Sequence, residues 1–288
     1  MGYFWVTPFD ATEQDEAMQG KIYGTWLAPK LSLAEARDIL KPLEEYLKEA
    51  KWADSVFAFS DGQERPSFIS GFATGNTPEN AGIPIRLGSR LLDEKALSKP
   101  LPELKQALQK ANGDWITLGH VIAGPGTWNP LGGIAGGSNA VLPAWRKACM
   151  QIGPWITFHT ICPYPLDPLA DISHAALPRS WPPNNTTLQR TITTRLRLNE
   201  TQSLRDLAPD TGAYVNEADP TEPSWRETFY GANYERLFEV KKRWDPRGVF
   251  WFKNAVGSEE MWEAEGEFGV ENGVGQNPVR LCRREGWE

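Results

Sequence analysis

GAYVNEADPTEPSWRETFYGANYERLFEVKKRWDPRGVFWFKNAVG, residues 212–257, carries the strongest structural signal in the chain. Residues 233–244 within it repeat apolar side chains at three- and four-residue intervals, which is typical of one face of an α-helix. The dipeptide Asp245-Pro246 follows directly, and proline disfavours helix at its own position and at the residue before it. We therefore predict a helix over residues 233–244 that ends at Asp245.

The rest of the chain mixes helices and strands without strict alternation, which favours the α+β class: one large, mostly antiparallel sheet with helices packed on one face. The domain prediction is a single α+β domain over residues 1–257, followed by a surface tail over 258–288. The predicted helices are 31–52, 101–111, 143–152 and 187–207. The first of them has a capping box formed by Ser32 and Glu35, and Pro42 should kink or break it. The predicted strands are 3–7, 55–60, 67–73, 115–123 and 155–159, and strands 55–60 and 67–73 form a hairpin.

Composition excludes several function classes. The net charge is −7 without a basic stripe, so nucleic-acid binding is not expected. No apolar run is long enough to span a bilayer, and the acidic N-terminal residues do not form a signal peptide, so we expect a cytoplasmic protein. Cys149, Cys162 and Cys282 are odd in number and widely spaced, which predicts neither a disulfide framework nor a metal site.

Two histidines lie on predicted strands and are candidate catalytic residues. His120 is on strand 115–123 and His159 is on strand 155–159, and either could serve as an acid or base near neutral pH or be purely structural. The 13 tryptophans suit a core or the wall of an apolar pocket. Trp115 and Trp155 on the same strands are therefore candidate substrate-binding residues.

Several segments resemble one family. Residues 212–257 closely resemble the C-terminal segment of the berberine-bridge-enzyme-like family, the FAD-linked oxidoreductases of the vanillyl-alcohol-oxidase superfamily, in its fungal branch. LGSRLL at 87–92 and GGSNAVLPAWRKACM at 136–150 resemble further family segments, as do residues 205–214 and the short runs VGSEEMWE and RLCR near the end. The resemblance spans most of residues 85–284.

The resemblance implies a substrate domain whose antiparallel sheet roofs a flavin ring. Its pocket-facing strand corresponds to Tyr214 and Asn216, which we predict as catalytic residues that hydrogen-bond a substrate oxygen; an inter-strand pair is the alternative. Glu217 is either a general base in the pocket or part of a solvated turn, and we include it among the substrate-binding residues. Asn233 corresponds to a position near the flavin-binding module, and we include it among the substrate-binding residues, although an N-cap role is the alternative.

The family's flavin-holding motifs are not found in these 288 residues. The Gly-rich run 132–137 lacks the spacing and flanking elements of a dinucleotide-binding loop and is interpreted as a flexible loop, so no cofactor-binding residue is predicted. The first hypothesis is accordingly a flavin-independent cyclase or pericyclase, Diels–Alderase-like, acting without a cofactor on a small apolar or aromatic fungal secondary metabolite. The alternatives are the C-terminal half of an FAD-dependent oxidoreductase, with FAD as cofactor, or a non-catalytic ligand-binding remnant.

The expected partner is a small-molecule substrate. A substrate domain without its flavin module exposes the apolar surface that normally meets that module. We therefore expect either a homodimer or a separate flavin-binding chain to cover this surface.

Overall fold

The chain divides into two compact units, one comprising Trp26–Ala81 with Met1 and the other Gly2–Thr25 with Gly82–Glu288. None of the described helices is long and apolar enough to cross a membrane. The computed structural model describes residues 2–6, 22–26, 28, 30–49, 62–67, 69–70, 85–113, 116–122, 139–157, 186–217, 219–265 and 280–284.

The smaller unit contains one long helix, α1, Leu33–Glu49. The predicted capping box is confirmed, because the Glu35 N–H donates to Ser32 Oγ (3.3 Å) and the Ser32 N–H donates to Glu35 Oε2 (2.8 Å). The Ser32 hydroxyl also donates to Glu35 Oε2 (2.7 Å), and this bond together with that from the Ser32 N–H stabilises the carboxylate and lowers the pKa of Glu35. The helix continues through Pro42, so it is not split in two. The strand predicted over 67–73 is wrong where it is described, since Ile69 and Ser70 are helical, and residues 55–60 lie outside the described part.

The larger unit is built on a six-stranded sheet, which with its helices confirms the α+β prediction. The order is β2-β1-β5-β6-β3, and β4 also pairs with β6. All the described pairings of β1, β3, β4 and β5 are antiparallel. The strands are β1 Gly2–Val6, β2 Ile22–Trp26, β3 Ile85–Leu87, β4 Arg90–Asp93, β5 Ile116–Val121 and β6 Ala148–Thr157.

The central strand β6 occupies much of the interval predicted as a helix. Only Pro143–Arg146 is helical, as a single 3₁₀ turn, and residues 148–157 form the strand. The helix prediction over 143–152 is therefore wrong. Its apolar spacing is ambiguous over so short a run, and hydrogen bonds to β5 on one side and to β3 and β4 on the other determine the outcome.

Gly153 lets the bend between β3 and β4 lie directly against β6. A β-carbon at Gly153 would stand 1.8 Å from the carbonyl oxygen of Gly88, which is backbone and has little freedom to shift. A side chain at this position would therefore separate two strands of the sheet.

Helices cover one face of the sheet. α2 (Glu94–Leu97) and α3 (Leu101–Asn112) follow β4, and the predicted helix 187–207 is observed as α4 (Thr186–Arg195), a π-helical turn (Leu196–Glu200) and α5 (Thr201–Leu207). The apolar faces of α3 and α5 pack against β4 and β6. The buried residues of this core are Leu92, Ala96, Ala111, Ile152, Leu204, Leu207 and Ala208.

The C-terminal part contains three more short helices, α6 (Trp225–Phe229), α7 (Tyr234–Trp244) and α8 (Ser258–Met261). The predicted helix 233–244 is confirmed, and it ends where Asp245 accepts the N–H groups of Val249 (2.8 Å) and Phe250 (3.0 Å). The segment predicted as a surface tail contains α8 and an antiparallel strand pair, β7 (Trp262–Glu265) and β8 (Arg280–Arg283).

Candidate functional site

The sheet face opposite α3 and α5 carries the candidate site. Ile152 of β6 packs into the core formed with these two helices, and successive strand residues point to opposite faces, so Gln151 points away from them. His120 of β5 lies directly opposite Gln151 in the sheet register. Directly opposed residues share a face, and His120 and Gln151 therefore form a cross-strand pair on the side of the sheet opposite α3 and α5.

Gln151 connects His120 to Glu217, which lies 97 residues further along the chain than His120. Its Nε2 donates to Glu217 Oε2 (2.7 Å), and its Oε1 lies 3.4 Å from His120 Nδ1. The second contact is long for a hydrogen bond and therefore weaker than the first. Gln151 is buried, while His120 and Glu217 are half-buried, so a buried amide connects two titratable groups that remain partly accessible.

The segment after α5 brings Glu217 to this face. Gly212 accepts the Leu91 N–H (2.8 Å) and the Thr211 hydroxyl donates to the Leu91 carbonyl (2.7 Å), so the chain runs along β4 before it turns. The turn is a 3₁₀ helix, Val215–Glu217. Tyr214 and Asn216 were predicted to alternate on a strand, and that placement is wrong. The hydrogen bond from the Glu217 N–H to the Tyr214 carbonyl (3.0 Å) closes a turn instead.

The turn nevertheless brings Tyr214 and Asn216 together. Asn216 Nδ2 donates to the Tyr214 hydroxyl oxygen at 2.8 Å. The Tyr214 ring meets Trp145 edge to face, with 5.5 Å between centroids and an interplanar angle of 85°. Such a contact fixes a ring and adds about 0.5–1.5 kcal/mol beyond area burial. Trp145 therefore holds the Tyr214 ring in place beside the exposed Asn216 amide.

Asn233 has a different set of contacts from those predicted. Its side chain makes no capping bond to α7, and its Nδ2 donates to the Val141 carbonyl at 2.8 Å. Arg236 of the same helix donates to the Asn139 carbonyl at 2.6 Å. Together they anchor the residues that lead into the 3₁₀ turn carrying Trp145. A direct substrate contact by Asn233 stays a prediction.

The remaining predicted site residues are described only in part. His159 and Trp115 lie outside the described residues. Trp155 is paired with Leu87 and Ile116 in the sheet, which places its backbone on the same strand as Gln151. No group of three or more potential metal-binding side chains occurs among the described residues.

Sequence reasoning missed Gln151 and Trp145. Both fall in the interval 143–152 that was predicted as a helix. The available signal was a polar Gln inside the apolar run ACMQIGPWI, because a buried polar residue is more informative than a buried apolar one.

The chain is similar in sequence to one family model and to fungal FAD-linked oxidoreductases. The family model described as berberine and berberine like matches residues 213–257, which include Tyr214, Asn216 and Glu217. An uncharacterised FAD-linked oxidoreductase of Arthroderma benhamiae is 30% identical over 274 residues, covering 92% of this chain and 41% of the relative. The FAD-linked oxidoreductase patO of Aspergillus clavatus is 32% identical over 201 residues, covering 69% of this chain and 28% of the relative.

Among solved structures, the VAO-type flavoprotein MtVAO713 of Myceliophthora thermophila has the same fold over nearly the whole chain. The TM-score is 0.67 at 22% identity, and the match covers 98% of this chain and 43% of that protein. The chain thus spans less than half the length of the relatives it matches.

Proposed function

The chain belongs to the berberine-bridge-enzyme-like family of fungal FAD-linked oxidoreductases in the vanillyl-alcohol-oxidase superfamily, and on that premise we propose that it forms the substrate-side wall of an oxidoreductase active site. The observation that carries the proposal is the hydrogen-bonded connection from Glu217 through Gln151 to His120, on the sheet face opposite α3 and α5. Residues that accept protons and orient hydroxyl groups are what an enzyme that oxidises small alcohols or phenols requires.

The described residues fit the substrate side of a flavin better than its phosphate side. The cluster presents a carboxylate, two amides, a phenol and an imidazole on and beside the sheet, whereas a diphosphate requires a nest of backbone N–H groups or basic side chains. We therefore propose that a flavin-binding module outside these elements holds FAD. When bound, FAD supplies the acceptor for the electron pair removed from the substrate.

Glu217 and Tyr214 have separate roles in this proposal. The ionised Glu217 carboxylate takes the proton from the substrate hydroxyl, and the bond from Gln151 holds the carboxylate in position. The Tyr214 oxygen already accepts a hydrogen bond from Asn216, so its own proton is directed elsewhere and can be donated to a substrate oxygen. Trp145 supplies an apolar edge beside that phenol.

Anaerobic flavin reduction tests the proposal. The purified protein, with co-purifying flavin or with added FAD and the flavin-binding region of a relative, is mixed with a panel of small alcohols and phenols. We expect at least one compound to bleach the visible flavin absorbance. Tyr214→Phe should weaken binding of that compound about 5-fold, because it removes one hydrogen bond worth about 1 kcal/mol. The exposed Tyr46 supplies the control Tyr46→Phe, which should change nothing.

Two results would overturn the proposal. One is flavin that stays oxidised with every compound although FAD is bound. The other is equal loss of binding in the Tyr214 and Tyr46 variants, which would place substrate binding elsewhere.

A flavin-independent cyclase is the second candidate. The observation that favours it is that the whole cluster is assembled from this chain, and orienting a reactive polyene requires no redox partner. Product formation by flavin-free protein, without any absorbance change, would support this candidate over the oxidoreductase. Ligand binding without turnover under either condition would support a non-catalytic remnant.

An exposed apolar surface near the end of α7 supports a larger assembly. We name it the aromatic rim: Trp244, Val249, Phe250 and Phe252 are 75%, 64%, 80% and 54% exposed. The bonds from Asp245 to two consecutive N–H groups hold this segment in a defined shape. Large apolar patches on monomers mark interaction sites. We propose that the flavin-binding module covers the rim.

Charge substitutions in the aromatic rim test this partner. Phe250→Asp with Phe252→Asp should abolish binding of a relative's flavin-binding region in size-exclusion chromatography with light scattering, while the melting temperature stays unchanged. Ile69→Asp is the control, since Ile69 is 77% exposed and lies in the smaller unit. Self-association that only the rim variant abolishes would point instead to a second copy of the chain, and unchanged binding would contradict the proposal.

A further inference from the structure

We infer that Gln151 is a positioning residue that fixes His120 as the tautomer protonated on Nδ1. The geometry of the inference comes from the described contacts, while its catalytic consequence rests on the proposed function. The carboxylate of Glu217 forms one end of the cluster.

An ionised carboxylate accepts hydrogen bonds and has none to donate. The amide group that faces Glu217 is therefore the Gln151 nitrogen, in agreement with the 2.7 Å contact between Nε2 and Oε2. The other end of the same amide is the carbonyl oxygen Oε1, which only accepts. The ring nitrogen that faces it, Nδ1 of His120 at 3.4 Å, must then carry the hydrogen, and the neutral ring keeps its basic lone pair on Nε2.

The position of Gln151 leaves the amide little freedom to change partners. Its side chain is 4% exposed. Its backbone pairs on one side with His120 of β5 and on the other with Leu91 of β4, which is fully buried. Rotation of the amide by half a turn would direct Oε1 at the carboxylate, and two acceptors would then face each other without a proton between them.

This arrangement gives the two ends of the cluster different states at the start of a reaction. The Glu217 carboxylate, which accepts the Gln151 bond, is the end that receives the substrate proton, and the Nδ1-protonated tautomer of His120 has its lone pair on Nε2. Once Glu217 is protonated it can donate to an amide oxygen, and the constraint on the orientation of Gln151 is removed. Gln151 thus acts through its neighbours and not on the reacting atoms.

NMR of histidine nitrogens tests the inference without substrate or flavin. The chain has three histidines, so in protein labelled with ¹⁵N-histidine the His120 signals are assigned as those lost in His120→Asn. At a pH where the ring is neutral, we expect wild-type His120 to be predominantly protonated on Nδ1. Gln151→Met keeps the size of the side chain but removes both polar ends of the amide, and we expect the fraction of His120 protonated on Nδ1 to fall.

Two further variants keep the test decisive. Glu217→Gln replaces the carboxylate, which can only accept, by an amide that can also donate, and we expect a mixture of His120 tautomers. Because Glu217 is half-buried, this variant keeps the test available if Gln151→Met fails to fold. Gln189→Met replaces another buried glutamine, on α4, and should leave His120 unchanged. Wild-type His120 protonated on Nε2, or a tautomer unaltered in both site variants, would overturn the inference. If the tautomers are as expected but no flavin reduction is observed, only the proposed function is contradicted.

Discussion

Replacing Glu217 by Gln is expected to slow flavin reduction by the substrate about 100-fold or more, because a positioned proton acceptor contributes about 10²–10⁴-fold to such a step. The variant retains the size and hydrogen-bonding capacity of the side chain but has no charge with which to take up a proton. Binding of the substrate should change much less than the rate constant for reduction. Rapid-mixing measurements of flavin absorbance under anaerobic conditions give both quantities.

An exposed acid on a nearby helix supplies the control for this experiment. Glu227 lies on α6 and is solvent-exposed, so Glu227→Gln should reduce flavin at the wild-type rate. A fall in rate of the same size in both variants would indicate a general effect of charge on the protein. A Glu217→Gln protein that reduces flavin as fast as wild type would remove Glu217 from proton transfer and leave His120 as the remaining titratable group of the connected cluster.

The helices that frame the sheet were predictable from the sequence because their signals are local. Residues 101–112 carry apolar side chains at helical spacing and end at Gly113, and residues 234–244 end at Asp245-Pro246. The observed bounds lie within one residue of the predictions. The capping box of α1 was equally predictable, since Ser32 and Glu35 are only three positions apart.

The assembly of the site was only partly predictable. His120, Glu217, Tyr214 and Asn216 were named from the sequence, but the connection between His120 and Glu217 depends on Gln151, which pairs with His120 and Leu91, 31 and 60 positions away. The run around Gln151 has no decisive periodicity of its own. Gln151 and Glu217 are 66 residues apart, and a contact over that separation cannot be predicted from local sequence patterns.

Replacing Glu222 by Ala is expected to lower the free energy of unfolding by about 3–5 kcal/mol, the usual cost of removing one partner of a buried ion pair. Arg205 Nη1 lies 2.7 Å from Glu222 Oε2, and the two side chains are 12% and 3% exposed. Thr228 also donates to Glu222 Oε1 at 3.2 Å. The variant therefore leaves a guanidinium and a hydroxyl buried without this acceptor, and urea unfolding monitored by circular dichroism measures the loss.

The exposed ion pair between Lys95 and Asp210 is a matched control. Its distance, 2.6 Å, is nearly that of the buried pair, but its side chains are 72% and 70% exposed. Solvent weakens such a pair, so Asp210→Ala should leave the unfolding midpoint unchanged within error. Equal losses in the two variants would contradict the role of burial. Arg205→Met combined with Glu222→Leu should recover much of the loss, because the Arg205 guanidinium is then no longer buried without its carboxylate partner.

The pH dependence of stability shows whether burial or attraction to Arg205 has the larger effect on the pKa of Glu222. Burial raises the pKa of Glu222 above its ordinary 4.5, against the opposing effect of Arg205 and Arg90. Between 4.5 and the raised pKa, the folded protein binds more protons at this site than the unfolded chain, so the Glu222 contribution to stability falls as the pH rises through that window. Glu222→Gln keeps a neutral hydrogen-bonding side chain and does not titrate. Wild type should therefore lose stability relative to Glu222→Gln as the pH rises above 4.5, and a relative gain would mean that attraction to Arg205 outweighs burial.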